Sequence, residues 1–437
     1  MSTIRAAGLG LAATFMFVCG NALAGQQTPS ARRSVTLDQA VQLTLDHSPT
    51  MVQALGTVRS TAAEQRTALG GMLPSLSLSS GATRASTSRF NSATNTLAQG
   101  AAASYTAGLT GSVDVFAGGR HMATMRQANA DNAAADASLI QQRFAVTLTA
   151  KTAFFNVLRD GELVRVAQAQ LDQAQQGLDA ASERMKVGSA TRSDVLRAQL
   201  AVNQARQALV QATTSESSSE YALGRLVGEN GPVTATAPAS LEPTPLAVAD
   251  DQLPALVDQQ APSVVSAVAQ VKSGQAAVSS AKSQYLPTIR LSGGNNWLNN
   301  VASLGGGNTS WNFGLGLSFP IFNGFQREQT VELASVETDN ARAALDDARL
   351  NARATLESEL AALQLAEQQI QLTKEAVSVA EEDLRVQTER YRLGAGTMLD
   401  RLTSQASLVQ AQTNAVNARY DYQIARAQLE ALAGRSL

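Results

Sequence analysis

The sequence of 437 residues predicts an α+β membrane protein with an internal twofold repeat. Three observations predict this class: motifs that recur at a fixed spacing, two proline-free helical stretches of unusual length, and alternating segments long enough to cross a bilayer as strands. Each chain offers four such strands, too few to close a barrel. We therefore expect a trimeric 12-stranded β-barrel, to which each copy gives four strands, continuous with a long α-helical barrel.

The repeat is visible in two motif pairs. The segment LPSL at Leu73 returns as LPTI at Leu286, which is 213 residues later. The segment ERMKVG at Glu183 returns as ERYRLG at Glu389, which is 206 residues later. Because the offset changes only once, the difference in length between the two halves falls in one hairpin.

The N-terminus predicts a cleaved secretory signal. Arg5 precedes an apolar run, and Ala22-Leu23-Ala24 has the small residues of a cleavage site. Cys19, the only cysteine, lies inside this segment, and the residue before it is not small, so we favour cleavage over lipid anchoring through Cys19. The predicted parts of the chain are the signal at 1–24, a first repeat at 25–227, a proline-rich equatorial connector at 228–250 and a second repeat at 251–437.

Each repeat predicts a helix, two strands, a very long helix and, after a tight turn, a returning helix. Glycine and proline interrupt the helical pattern mainly at its ends. The first long helix, Arg120–Lys186, would extend about 100 Å at roughly 1.5 Å per residue. The other predicted elements of the first repeat are a helix from Val35 to about Leu69, strands near Leu73–Arg84 and Tyr105–Phe116 with a polar loop between them, and a helix from Thr191 to about Val227. Those of the second are a helix at Gln252–Tyr285, strands at Leu286–Asn300 and Ser310–Phe322, and helices at Gln326–Leu393 and Thr397–Ala433.

The last strand alternates apolar residues with small or polar ones. The residues predicted to face the membrane are Phe313, Leu315, Leu317, Phe319 and Ile321. A soluble sheet with one wet face would show the same alternation. The secretory signal, the absence of an apolar run of about 18 residues after it and the very long flanking helices favour membrane strands.

The motifs, in order and twice, resemble those of the TolC-type outer-membrane efflux proteins, the outer membrane factors, across essentially the whole mature chain. The residues that carry the resemblance are LPSL and LPTI, Pro320–Gly324, Arg184–Gly188 with Thr191–Asp194, and Arg390–Gly394 with Thr397–Asp400. The resemblance implies a homotrimer in the cell outer membrane that extends into the periplasm. It also implies two partners, a periplasmic adaptor (membrane fusion protein) and an inner-membrane pump of the RND or ABC type. Cargo would pass through passively, in tripartite efflux or type I secretion.

The helical turns carry the residues on which the function would depend. Thr191 with Asp194, and Thr397 with Asp400, have the form T-x-x-D, which predicts capping of the returning helices. The alternative is that both aspartates face the lumen at a closed periplasmic gate, and one aspartate can do both.

By motif position, the resemblance implies specific gate residues. Asp400 matches an acid that rings the pore, and Asp194 matches a partner for Tyr391. Thr403 stands where a second ring acid would be, and Arg192 partly substitutes for a locking arginine that this chain lacks. We therefore expect a looser or less cation-selective closed state than the family pattern implies.

The tips of the helical hairpins are the predicted contacts for an adaptor. The missing arginine belongs to the second tip, where Gly396 takes its place. The predicted contact residues are Val187, Gly188, Ser189, Ala190 and Thr191 in the first tip, and Leu393, Gly394, Ala395, Gly396 and Thr397 in the second. Short solvated turns are the alternative interpretation.

Other function classes fit less well. A periplasmic coiled-coil adaptor or tether would share the long hairpins but has no use for the four strands. A self-contained porin or adhesin leaves the long helices unexplained. We expect no enzymatic activity, no cofactor and no metal, because the two histidines, His47 and His121, lie in different elements. A net charge of −2 gives no reason to expect a nucleic-acid partner.

Overall fold

A computed structural model describes residues 33–91, 96–238, 240–246, 252–303 and 305–437. The predicted signal at 1–24, with Cys19, lies outside the described residues, as do parts of the predicted connector. The first half contains β1 (Arg33–Val35), α1 (Leu37–His47), α2 (Pro49–Gly70), β2 (Ser75–Asn91), β3 (Thr96–Ala117), α3 (Arg120–Lys186) and α4 (Arg192–Val227). The second contains β4 (Val233–Ala235), α5 (Leu253–Gln260), α6 (Pro262–Lys282), β5 (Thr288–Asn299), β6 (Asn308–Ser318), α7 (Gln326–Arg392) and α8 (Met398–Ala433).

The long helices match the prediction closely. Both α3 and α7 have 67 residues, and both α4 and α8 have 36. The first helix of each half is divided in two, however, because Pro49 and Pro262 each begin a new helix at its first position. No described helix has an apolar run that would let it cross a membrane.

The strands differ from the prediction mainly at two places. The segment between Arg84 and Tyr105, predicted as a polar loop, is largely strand, since β2 and β3 pair in register as far as Asn91 and Thr96. Backbone pairing needs no particular side chain, so the weak alternation there concealed it. The last strand was predicted to reach Phe322 but ends at Ser318, because Pro320 has no N–H to give to a neighbouring strand. Phe319 and Ile321, predicted as strand residues, are therefore exposed just beyond β6.

One antiparallel sheet contains the four long strands in the order β2-β3-β5-β6. The register places Val113, Leu291 and Leu315 on one face and Ser112, Ser292 and Gly314 on the other. Within the described residues, β2 and β6 each have a neighbour on one side only. The sheet is therefore open at both edges.

The helices form four columns beside one another. Helix α3 packs against α2 and α6 near the sheet, and against α4 and α8 farther from it. Helices α1 and α4 meet, as do α5 and α8, so shorter helices stack into columns beside α3 and α7. The columns have the same order as the strands that continue them. The first column is α2 with α4 and continues into β2, the second is α3 with β3, the third is α6 and α8 with β5, and the fourth is α7 with β6.

The cores lie between these columns at the middle of the helical region. One cluster packs α5 and α6 against α7 and α8, and another joins β1, α1, α3 and α4 around the buried side chain of Phe154. The connector is attached here: β4 pairs with β1 in parallel, and Tyr422 hydroxyl bonds to the backbone of Thr244 at 3.1 and 3.2 Å. The middle of the wall is thus tied together by non-helical chain.

The junction between β3 and α3 contains two glycines in the left-handed region. Gly118 has φ +60°, and a Cβ there would lie 2.6 Å from Leu286 Cβ and 2.7 Å from Ser283 carbonyl oxygen. Gly119 has φ +75°, and a Cβ there would contact nothing within 4 Å. In the second half, Phe325 directly precedes α7, as Gly119 precedes α3, and has φ +64°. A side chain is therefore accommodated at the position equivalent to Gly119.

We predict that Gly118→Ala destabilises the protein far more than Gly119→Ala. Both substitutions incur left-handed strain of about 1–2 kcal/mol, but only the first adds a collision with the backbone of a neighbouring segment. Urea-denaturation midpoints of the two purified variants in detergent provide the measurement. Equal midpoints would show that the contact with Leu286 is unimportant.

Candidate functional site

The two helical hairpins, α3/α4 and α7/α8, end in turns of the same design. Gly188 and Gly394 have φ values of +75° and +77°. After each glycine the next amide returns to a helical carbonyl: Ser189 N–H donates to Arg184 O, and Ala395 N–H to Arg390 O, both at 2.8 Å. These bonds satisfy carbonyl groups that the helix ends leave free.

Both predicted capping boxes are present. The amide of Asp194 donates to Thr191 Oγ1 at 3.2 Å, and the amide and hydroxyl of Thr191 donate to Asp194 Oδ2 at 3.0 and 2.8 Å. Thr397 and Asp400 repeat the arrangement at 3.2, 3.1 and 2.8 Å. The two turns are therefore rigidly closed.

These hydrogen bonds also favour the charged carboxylates. The backbone N–H of Thr191, followed by its hydroxyl, lowers the pKa of Asp194. The hydroxyl of Thr397, followed by its backbone N–H, lowers the pKa of Asp400. Each tip thus presents an ionised carboxylate at neutral pH.

The expected pairing of Asp194 with Tyr391 is not formed. Asp194 Oδ2 is engaged by Thr191, and Tyr391 Oη is buried without a hydrogen-bond partner among the described residues. Tyr391 is only 8% exposed and packs with Ala181, Ala198 and Met398, between the two hairpins. Its role in this protomer is apolar packing.

Arg184 joins the two hairpins instead. Its Nη1 donates to the carbonyl oxygens of Tyr391 and, at 3.3 Å, Arg392, and its guanidinium lies 4.6 Å from the centre of the Tyr391 ring. Both carbonyls belong to the last turn of α7, where the helix dipole favours a cation. We call these contacts of Arg184 the clasp. Arg184 lies in one of the tip motifs, and no individual role was predicted for it.

The remaining predicted gate residues are separate from one another. Arg192 is exposed in the first turn of α4, and the exposed Thr403 donates its hydroxyl to the Leu399 carbonyl of its own helix at 3.0 Å. A Cβ at Gly396 would lie 3.1 Å from Arg390 Cβ, so this turn is tightly packed.

Arg401 was not predicted as a site residue. This residue of α8 lies against Gly177 of α3, where an added Cβ would collide with Arg401 Nη2. A glycine inside a 67-residue helix was the available signal, since it costs helix stability and often marks a close approach.

The outermost residues of the tips are apolar and exposed. Val187 and Leu393 occupy equivalent positions in the two turns and are 79% and 66% exposed. Leu196 and Leu399, one turn into the returning helices, are also exposed. Each tip therefore offers apolar surface beside an ionised carboxylate.

Comparisons with known proteins agree on one family. A sequence model described as "Outer membrane efflux protein" matches residues 40–229 and 253–435. Protein CyaE of Bordetella pertussis (strain Tohama I) is 28% identical over 408 residues, which are 90% of this chain and 81% of CyaE. The pyoverdine export outer membrane protein OpmQ of Pseudomonas aeruginosa is 26% identical over 393 residues, 88% of this chain and 81% of OpmQ.

Solved structures share the fold. A membrane protein from Pseudomonas aeruginosa superposes with a TM-score of 0.80 and 22% identity, covering 92% of this chain and 90% of that protein. The outer membrane protein VceC from Vibrio cholerae gives a TM-score of 0.76 and 22% identity, covering 92% and 96%. The arrangement of strands and columns is thus shared over nearly the whole described chain.

We predict that acid loosens the two tips through their capping carboxylates. Because the folded-state pKa values of Asp194 and Asp400 lie below the ordinary 3.8, their stabilisation is fully present above pH 3.8 and is lost as the pH falls through the lower folded values. Hydrogen exchange at the first turns of α4 and α8, corrected for intrinsic rates, should remain constant from about pH 7 to 5 and accelerate below 3.8.

The matched control replaces both aspartates by asparagine, which keeps an acceptor oxygen but cannot titrate. This double variant should lose the acid-dependent acceleration. The same acceleration in the variant would assign the effect to other carboxylates.

Proposed function

This chain belongs to the outer membrane efflux protein family, and we propose that three copies of it form the outer-membrane channel of a tripartite efflux or type I secretion system. The channel would conduct cargo passively from a periplasmic adaptor and an inner-membrane pump to the exterior. The protein lies in the outer membrane and extends into the periplasm. Its family consists of efflux proteins, and we propose no enzymatic activity for it.

The open sheet carries this proposal. In lipid, an unpaired strand edge leaves backbone groups without partners, at several kcal/mol each. Pairing β6 of one copy with β2 of the next removes both edges, and three copies then close a barrel of twelve strands, a size known for bacterial barrels.

The two faces of the sheet support a barrel. The face that includes Phe313 is apolar and exposed in the protomer, which suits lipid: Leu76, Leu78, Leu109, Leu291, Trp311, Phe313, Leu315 and Leu317. The opposite face has mainly serine, threonine, asparagine and glycine. Among the described side chains of this opposite face in the strands, Asp114 and Arg290 are the only charged pair, joined at 2.7 Å. This polar face suits a water-filled lumen.

The edges of the helical wall support the same closure. On α7, at one edge, exposed apolar residues recur at every seventh position: Leu365, Leu372, Val379 and Val386. On α4, at the other edge, the exposed apolar residues are Leu196, Leu200, Val210 and Tyr221. Seven-residue spacing is typical of a helix-packing seam, so we propose that α7 of one copy packs on α4 of the next. The ring would contain two structural repeats per copy, 25–227 and 251–437.

We assign two roles to the tips within this channel. Asp400, repeated by the threefold axis, would form an acidic ring at the periplasmic gate, near Thr403 and Arg192. The exposed turns at 187–191 and 393–397 would contact the adaptor, with Val187 and Leu393 as apolar anchors. A pump of the RND or ABC type would complete the system.

A periplasmic coiled-coil adaptor remains the less favoured function. It accounts for the hairpins but not for a sheet with an exposed apolar face and two open edges.

We predict that Leu372→Lys prevents trimer assembly. The substitution places a charge in the proposed interface between α7 of one copy and α4 of the next. Gln371→Lys adds the same charge on an adjacent exposed face of α7. Analytical ultracentrifugation in detergent should give a trimer for the control and smaller species for Leu372→Lys. A trimer in both variants would exclude this edge from the interface.

We predict that the purified protein conducts ions in planar bilayers and that multivalent cations block it from the periplasmic side through Asp400. Asp400→Asn keeps the cap but removes the charge, so it should weaken the block by about tenfold or more for a threefold ring. Asp172→Asn, on the exposed surface of α3, is the matched control. Unchanged block in Asp400→Asn would remove this residue from the pore, and the absence of conductance in the wild type would contradict the channel itself.

A further inference from the structure

The contact between α3 and α8 near the tips is unusually close. Helix α3 presents small buried residues, Ala174, Gly177 and Ala181, and α8 presents Arg401 and Gln405 one turn apart. We call this contact the seam. The guanidinium of Arg401 occupies the space above Gly177, where a Cβ would be 3.1 Å from Arg401 Cζ and closer still to Nη2. The seam therefore holds a half-buried cation rather than an apolar side chain.

Buried polar atoms in and beside the seam lack partners. Arg401 Nε, Gln405 Oε1 and Tyr391 Oη are each buried with no hydrogen-bond partner among the described residues. Gln405 is 6% exposed, and Tyr391 is the aromatic residue beneath the clasp. A buried polar group without a partner opposes the arrangement that buries it, and a buried charge does so more strongly. Burial also lowers the pKa of Arg401, against the effect of Tyr391.

The clasp acts in the opposite direction. Arg184 reaches from the last turn of α3 to the last turn of α7, where it binds the carbonyl oxygen of Arg392 and adds a second donor to that of Tyr391, which also accepts from the amide of Gly394. This interaction exists only while the two hairpins are together. The tip thus combines one contact that favours closure with a neighbouring group that disfavours it.

We propose that Arg401 destabilises the closed tip, so that the balance between it and the Arg184 clasp sets how readily the α7/α8 hairpin separates from the α3/α4 hairpin. Separation would let water reach Arg401, Gln405 and Tyr391 Oη. The proposal rests on the proposed channel function. In this proposal Arg401 and Gly177 help to determine how readily the gate opens. The resemblance assigns that role to an arginine in the second tip, where this chain has Gly396.

The direction of the effect distinguishes this proposal from a simple structural role. Arg401 is half-buried and its Nε is buried without a partner, so replacing it by an apolar side chain of similar length should stabilise the arrangement that covers it. Arg401→Met should therefore favour the closed tip, whereas loss of a stabilising side chain would favour opening.

Single-channel recording of the reconstituted full chain tests this directly. Arg401→Met should lower the open probability by about tenfold, and Arg401→Lys, which keeps the charge, should remain near the wild type. Arg419→Met is the matched control, since Arg419 is exposed five turns along the same helix, and it should leave the open probability unchanged. Hydrogen exchange of α3 amides at 174–181, measured in detergent, should slow in Arg401→Met and gives the comparison without membrane insertion.

The clasp provides the opposite test. Arg184→Ala should raise the open probability by about tenfold, and Lys186→Ala, an exposed residue in the same turn, should not. An unchanged or raised open probability in Arg401→Met, or equal behaviour of the Met and Lys variants, would overturn the proposal. If the wild type conducts while Arg401→Met matches it, only this inference fails; if the wild type does not conduct, the proposed function fails.

Discussion

Unpaired backbone at the edge of a membrane-facing sheet is the constraint from which most of this architecture follows. A single chain makes a four-stranded sheet whose outer strands each have a neighbour on one side among the described residues. Hydrocarbon offers no hydrogen-bond partner, and in the proposed channel the missing neighbours come from identical chains. Because each strand continues a helical column in the same order, closing the sheet also brings together the apolar edges of the helical wall. Association of the same copies would therefore pair the open sheet edges and cover the apolar edges of the helical wall.

The helical wall depends on a match of lengths. The two long helices have equal numbers of residues, and the shorter helices beside them stack in pairs to cover them. The connector and the parallel β1–β4 pair hold the stack at its middle, while small residues along α3 allow close packing toward the tip. The apolar clusters near the tip are smaller than the two at the middle of the wall.

The sequence predicted the elements well where local chemistry determines them. Glycine boundaries and capping residues located α3 and both tip turns to within about a residue. Strands that pair with segments distant in sequence were predicted less well. The extended β2–β3 hairpin has little alternation, and the three-residue β1–β4 pair has no local signal.

The same distinction between local and distant contacts applies to the candidate site. Thr191 and Thr397 cap residues three positions away, so their contacts were readable, whereas Arg401 meets Gly177 only after two distant helices are packed. The pairing of Asp194 with Tyr391 is not formed within this protomer, where the local cap engages Asp194 Oδ2.

The hydroxyl-rich face of the sheet has a consequence for transport. Along most of that face, serine and threonine side chains bond across to the neighbouring strand, as Ser77 does to Thr110 at 2.7 Å, and glycines leave bare backbone between them. Among the described side chains this face has only Asp114 and Arg290 as charged residues, so it has few groups left with which to hold a passing molecule. In the proposed channel, solutes as different as a small ion and an unfolded chain would bind the barrel wall only weakly. The rate of export would then be set before the solute reaches the barrel.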